Sequence, residues 1–336
     1  MSLFKKAACF TDIHFGMKNG SRIHNVDCEE FVKWFCDQAM QEGCETCIFL
    51  GDWHHNRSSI DISTMNYSVS NLERLSRSFS DVYVILGNHD EYYKDKREIH
   101  SVEFARLFPN VHLVNETLID GDVSIVPWLV GDEWKDIPNI KSRYMFGHFE
   151  LPSFYMNAMV QMPDHGSLRA SHFQNQEYVF TGHFHSRQQK NNIIYMGNAF
   201  PHNYADAGDD DRGMMILEWG GEPEYRAWPG QPRYRVFNLS RLLENPDELL
   251  MPKMNCRATI DVELSFEEAN FIKEQFIPQY DLRELQMIPE KVELESQSTV
   301  IDMNFESVDT IVMNSLTSLD TESYDHKLLL DLYKDL

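Results

Sequence analysis

Tyr83-Val84-Ile85-Leu86-Gly87-Asn88-His89-Asp90 reads as a buried strand that stops at a glycine and delivers three polar side chains to one point. Val84, Ile85 and Leu86 form an unbroken apolar run, as in a parallel strand covered on both faces. Gly87 lets the chain turn sharply. Asn88 then offers a neutral oxygen, His89 a ligand or proton carrier, and Asp90 a carboxylate. In open α/β sheets, sites form beyond the carboxyl ends of parallel strands, so other strands of this chain should end in the same way.

Four more do. Residues 5–10 run into Thr11-Asp12-Ile13-His14, which places a carboxylate and an imidazole two apart, on one side of an extended segment. Residues 46–50 run into Gly51-Asp52-Trp53-His54-His55-Asn56-Arg57. Residues 144–146 end at Gly147-His148, and residues 178–181 end at Gly182-His183-Phe184-His185. Alone, a Gly-His or Gly-Asp pair is an ordinary turn. Five in a row, each after a buried strand, make a metal site.

The donors are carboxylate, amide oxygen and imidazole, with no cysteine among them. That set suits manganese, zinc or iron, and its oxygen content tilts it toward manganese. Seven or eight ligands exceed what one ion takes. They fit two ions sharing a carboxylate, with Asp52 the natural bridge, and such a pair clamps a phosphoryl group for in-line displacement. His89, beside a ligand yet free to face a substrate, is placed to protonate a leaving oxygen.

Between these ends, residues 26–41 and 62–79 carry helical apolar spacing, and residues 96–108 are expected to form a further helix. Residues 111–114, 117–119 and 123–127 read as short strands of a second sheet, and 152–176 as a long surface loop. Residues 193–196 precede Gly197-Asn198, and 206–211 form an acidic loop. Residues 213–219, 225–228 and 235–239 read as closing strands. A linker spans about 244–253. A strand at 258–264, a helix opened by Ser265-Phe266-Glu267-Glu268 and a strand at 282–288 then suggest a small βαβ-like unit. After a polar stretch, two amphipathic segments follow, one from Phe305 to Leu319 and one from Tyr324 to Leu336. Helices that short are marginal alone and need a surface to pack on.

No apolar run reaches membrane-spanning length, and Met1 to Lys6 lacks a signal-peptide core. Cys9, Cys28, Cys36, Cys44 and Cys47 lie in apparent core elements, and the Cys44-Glu-Thr-Cys47 spacing has no second pair, so the six cysteines read as reduced, in a cytoplasmic protein. The net charge of -23 argues against a protein that holds nucleic acid by general electrostatics. A nuclease with a local basic patch, or with a basic partner, remains compatible with it. Arg57, Arg74, Arg77, Lys94, Lys96 and Arg97 flank the second and third motifs and are the candidate DNA contacts.

The motif order resembles that of the calcineurin-like metallophosphoesterases. The resemblance implies a four-layer α/β/β/α sandwich, with one ion on Asp12, His14, Asp52 and His185 and a second on Asp52, Asn88, His148 and His183. Protein phosphatases of that superfamily would show Asp-Arg-Gly after the Gly-Asp and a glutamate after Gly-Asn-His. His55 and Asp90 stand here instead. Gly51-Asp52-Trp53-His54-His55 is similar to the variant in DNA double-strand-break-repair nucleases of the SbcD type, where His55 would position the substrate phosphate or the catalytic His89. The layout is most like members from T-even-type bacteriophages, which would act in the host cytoplasm. It implies a nuclease domain at 1–243, a DNA-capping α+β domain at 254–290, a linker at 291–300 and a helical segment at 301–336 that docks on an SMC-like coiled-coil ATPase. It also implies a homodimer through the 62–79 helix and its neighbours. The expected activity is a manganese-dependent 3′-to-5′ exonuclease on duplex DNA and an endonuclease on single strands, with magnesium, zinc or iron as other possible ions. The alternative is a phosphatase or small-molecule phosphodiesterase on the same core. His54 stands as an extra histidine beside the motif. His202 in Asn198-Ala-Phe-Pro-His-Asn-Tyr204 is within reach of the site on one reading, and a surface histidine on the preferred one.

Overall fold

A computed structural model of the chain describes residues 2–156 and 160–289. The 291–300 linker and the 301–336 segment lie outside the described residues.

Two six-stranded sheets face each other. In the first, β1 (Lys6–Phe10), β2 (Thr46–Phe49), β3 (Asp81–Ile85) and β4 (Val111–Val114) run parallel. β11 (Gly213–Glu218) and β12 (Glu224–Ala227) extend the sheet antiparallel beyond β1. In the second, β6 (Val123–Val126), β7 (Tyr144–His148), β8 (Tyr178–Gly182) and β10 (Ile193–Tyr195) run parallel. β5 (Leu118–Asp120) and β9 (Gln188–Lys190) form its antiparallel edges.

The apolar runs explain the layering. Side chains alternate across each sheet, so every parallel strand supplies both faces. Ala7, Cys9, Ile48 and Ile85 meet Phe146, Phe180 and Ile194 between the sheets. Ala8, Phe10, Phe49 and Val84 point the other way, onto α2 (Arg22–Gln41) and α3 (Ile62–Ser78), which contribute Phe31, Phe35, Leu72 and Leu75. Both helices start where sequence supplies a cap. Ser21 accepts the His24 amide, and Asp61 accepts the Thr64 amide at 2.9 Å. Behind the second sheet, Met145, Val179 and Tyr195 pack on Ile137, Phe149, Phe154 and Phe173. That fourth layer consists of loop and 3-10 turns at Glu133–Lys135, Ile137–Asn139 and Ala170–Phe173.

A third sheet, all parallel, joins β13 (Arg233–Asn238), β14 (Met254–Ile260) and β15 (Glu284–Pro289). α6 (Phe266–Gln279) crosses between the last two, opened by the expected capping box of Ser265 and Glu268. The unit has its own core of Leu239, Leu242, Met254, Cys256, Ala258 and Leu285.

Several expectations need correction. The strand foreseen at 235–239 as closing the sandwich belongs to this third sheet, which therefore begins at Arg233. The 244–253 linker largely folds, with α4 (Leu239–Glu244) entering it and α5 (Pro246–Leu249) lying inside it. Residues 111–114 sit at the edge of the first sheet. The helix expected at 96–108 is only a 3-10 turn at Glu103–Leu107. Its first half is held as a loop by Arg97, whose guanidinium reaches Glu91, Glu133 and the carbonyls of Asn115 and Trp128. All six cysteines are free and buried. No helix among the described residues is long and apolar enough to cross a membrane.

Candidate metal centre

The carboxyl ends of β1, β2, β3, β7 and β8 meet at one edge of the sandwich, and the five motifs meet with them. The turns that bring them there are unusual. Asp12, His14, Asp52 and His183 all take positive φ (50°, 54°, 62° and 92°). Asp12 and His14 are therefore not extended as expected. Each side chain is swung inward by a left-handed backbone that costs L residues roughly 1–2 kcal/mol apiece. Gly87 is required by contact: a Cβ there would lie 2.2 Å from Asp52 Oδ1 and 2.3 Å from its amide nitrogen.

Two donor groups form, sharing Asp52. In one, Asp12, His14 and Asp52 each bring an atom within 4.8 Å of the others, and His185 Nε2 lies 3.3 Å from His14 Nε2 and 3.9 Å from Asp12 Oδ1. In the other, Asp52, His148 and His183 converge within 4.8 Å, with Asn88 Oδ1 3.2 Å from His148 Nε2 and 2.9 Å from His183 Nδ1.

The surroundings orient these donors. His148 Nδ1–H donates to the Leu50 carbonyl at 2.7 Å, which turns the Nε2 lone pair inward. His183 Nε2–H donates to Glu150 at 3.2 Å and turns Nδ1 inward. Thr11 Oγ donates to Asp12 Oδ2 at 2.7 Å. Asp90 accepts the amides of Gly87, Asp52, Trp53 and His54 at 2.9–3.2 Å and so staples the β2 and β3 turns together. In this arrangement His148 Nε2, His183 Nδ1, Asn88 Oδ1 and Asp52 Oδ2 face one another, and with the His148 proton displaced all four are acceptors. A divalent cation satisfies all four, and the residues fit one.

The electrostatics agree. Burial alone would raise the Asp52 carboxyl, but His148, His14 and His89 outweigh it and hold it well below the carboxylate range. Burial disfavours a charged His148, yet Asp52 outweighs that and pushes the ring up to about 9. Asp90 is pushed up to about 6 by burial and by Asp52. A metal binding here would displace the His148 proton.

His89 and His55 stand at the mouth. Their rings stack at 5.3 Å, His89 Nδ1–H donates to the His55 carbonyl at 2.6 Å, and the His89 amide donates to Asp52 Oδ1 at 2.8 Å. Both rings line a groove of about 720 Å³, shared with Lys18, Arg57, Ile60 and Thr64.

The other candidates divide. Arg57 lines the groove, and Arg74, Lys94 and Lys96 are exposed. Arg77 is paired with Glu73 on the helix surface at 2.5 Å. Arg97 is corrected: it is locked into the loop network described above and has no free edge for a phosphate. His54 turns away from the site, with Nδ1 2.7 Å from Ser101 Oγ and Nε2 2.8 Å from Ser68 Oγ. His202 is corrected too, being fully buried beside His14 and His185. Glu150, Asp90 and Lys18 are participants that the motif pattern does not assign. Glu150 follows His148 by two and is findable from that spacing, whereas nothing local marks Lys18.

Fold and site together define a metal-dependent phosphoesterase. The Calcineurin-like phosphoesterase profile matches residues 5–205, and the chain belongs to that family. Exonuclease subunit 1 of Enterobacteria phage T4 is 27% identical over 219 residues, covering 62% of this chain and 62% of that protein. The chain thus aligns with less than two thirds of that curated relative. Among solved structures, TT1561 of Thermus thermophilus matches 67% of this chain and 99% of its own, at 9% identity and a TM-score of 0.41. The nuclease MPE of Pseudomonas putida matches 64% and 84%, at 15% identity and a TM-score of 0.32.

Proposed function

We propose that this chain is the nuclease subunit of a DNA-end-processing complex. It would act as a manganese-dependent 3′-to-5′ exonuclease on duplex DNA and an endonuclease on single strands, working with an SMC-like coiled-coil ATPase in recombination and repair. The observation that carries the reading is the pair of donor groups joined by Asp52, opening through His89 and His55 onto a groove. The name of the phage T4 relative supports a nucleic-acid substrate.

Asp12, His14, Asp52 and His185 would hold one ion, and Asp52, Asn88, His148 and His183 the other. When bound, such a pair polarises a phosphoryl group and makes water a nucleophile near neutral pH. Asp52, low in pKa, stays ionised throughout. His89, with Nδ1–H committed to the His55 carbonyl, keeps Nε2 for delivering a proton to the leaving 3′ or 5′ oxygen. His55 stacks on that ring and limits its rotation. Lys18 and Arg57 in the groove supply cationic contacts for a phosphate backbone. The 301–336 segment would dock on the ATPase, and the α3 face, where Ile62 is 90% exposed, would join two copies.

A small-molecule phosphodiesterase is the second reading, favoured by the charge of -23 and by the internal pairing of Arg97. A labelled duplex with a free 3′ end, beside an aryl phosphodiester, separates the two with manganese present. Release of 3′ nucleotides by wild type and not by Asp52→Ala is expected. Aryl ester cleavage with an intact duplex, even after the ATPase is added, would establish the second reading.

A further inference from the structure

We propose that His202 supplies a third imidazole to the ion assigned above to Asp12, His14, Asp52 and His185; the inference rests on that two-ion reading and deepens it. His202 lies between β10 and β11, in a segment with no strand-end motif. Its ring is fully buried, and neither Nδ1 nor Nε2 has a hydrogen-bond partner. Buried polar atoms are nearly always satisfied, so two idle nitrogens on one ring call for a ligand.

The ring is aimed at the site. Its centroid lies 5.5 Å from those of both His14 and His185, at 81° and 84°. One nitrogen from each of the three rings falls within 4.8 Å of the other two. Phe200 and His24 wall the remaining sides at 5.0 and 5.3 Å. The backbone is clamped as well. The His202 amide donates to Asp206 at 2.8 Å, and its carbonyl accepts the Tyr234 hydroxyl at 2.8 Å. Asp206 is held in turn by the buried Arg212, which also reaches Asp209 at 2.7 Å and Asn198 at 2.6 Å. The acidic loop at 206–211, which the motif pattern leaves without a role, thereby becomes the support that fixes this ring.

The chemical consequence is an asymmetric pair. With His202, the first ion has three imidazole nitrogens and two carboxylates. The second has two imidazoles, one carboxylate and an amide oxygen. Nitrogen donors favour zinc, iron or cobalt over manganese, so the first position should prefer those ions more strongly than the second does.

The test uses the full chain, stripped with chelator and titrated calorimetrically with Mn²⁺ and separately with Zn²⁺. Wild type is compared with His202→Asn and with His202→Phe, which fills the space without a donor. Pulsed EPR of the Mn²⁺-loaded forms counts coupled imidazole nitrogens. Wild type should bind two ions with five coupled imidazoles. Each variant should keep one ion at wild-type affinity, bind the other about tenfold or more weakly, and lose one nitrogen coupling and part of the zinc preference. Melting midpoints identify the folded variant. Unchanged affinities in a folded variant, or four coupled imidazoles in wild type, would overturn the role of His202 and leave the two-ion reading intact. Fewer than two ions in wild type would overturn both.

Discussion

Asp12, His14, Asp52 and His183 hold left-handed backbones, so each spends folding energy on pointing a side chain into the site. What keeps them there is a set of neighbours that carry no ligand themselves. Asp90 is the chief one, accepting four amides. Asn at that position offers one acceptor oxygen where the carboxylate offers two. Asp90→Asn should therefore weaken metal binding by about 10–100-fold while leaving the sheets folded, as calorimetry and circular dichroism would read it. Gly87→Ala should abolish binding of at least one ion, because the new Cβ strikes both the Asp52 carboxylate and its amide nitrogen. His54 gives a pH prediction. Burial holds its ring down at about 3 against 6.5 when free, so the unfolded chain takes up a proton that the folded chain refuses. Its contribution is fully present above about pH 6.5 and is lost as pH falls toward 3. Urea midpoints of the metal-free protein should fall over that window, less steeply for His54→Gln.

At the level of elements, the strand ends were legible because a continuous apolar run followed by Gly and a polar pair has few other uses. β2, β3, β7 and β8 follow from that pattern, and β1, which runs into Thr11-Asp12 without a glycine, from its Asp12 and His14 pair. Where local pattern is silent, tertiary contacts decided. Residues 111–114 pair with β3 through register, not through anything in their own alternation. Residues 235–239 read as one more sandwich strand until β14 is seen to bond β13. Residues 96–102 carry helical spacing, yet Arg97 finds two glutamates and two carbonyls across space and the loop wins. Arg97→Ala should accordingly cost about 1–3 kcal/mol by leaving the carbonyls of Asn115 and Trp128 and the Glu91 carboxyl, which burial pushes up to about 7, without their donor. Chemical denaturation measures it, and a loss of DNA binding without that destabilisation would contradict the assignment. His202 is noticed in the sequence but placed at the surface for a related reason: a histidine inside an irregular segment carries no periodicity to report its burial.

For the molecule as a whole, charge and metal are linked. A chain of net charge -23 that also gathers Asp12 and Asp52 in its interior should be stabilised by its ions, since only the folded state organises the donors. Adding Mn²⁺ at about a hundred times its dissociation constant should contribute about 2.7 kcal/mol per ion. The melting midpoint should rise by several degrees, and chelation should reverse the rise. The third sheet is tied to the sandwich by Arg283, which forms a bidentate pair with Asp27 of α2 at 2.5 Å, and by Lys253 on Glu30 at 2.7 Å. The six buried thiols are distributed over the same two parts: five lie in the sandwich and Cys256 in the core of the third sheet. A thiol reagent can reach none of them until its surroundings open. Mass-resolved alkylation over time thus provides an internal clock with two hands. The rate at Cys256 times the opening of the third sheet, and the rates at the other five time that of the sandwich. Coincident rates would mean one cooperative unit, and an early Cys256 would mean that the smaller sheet breathes on its own.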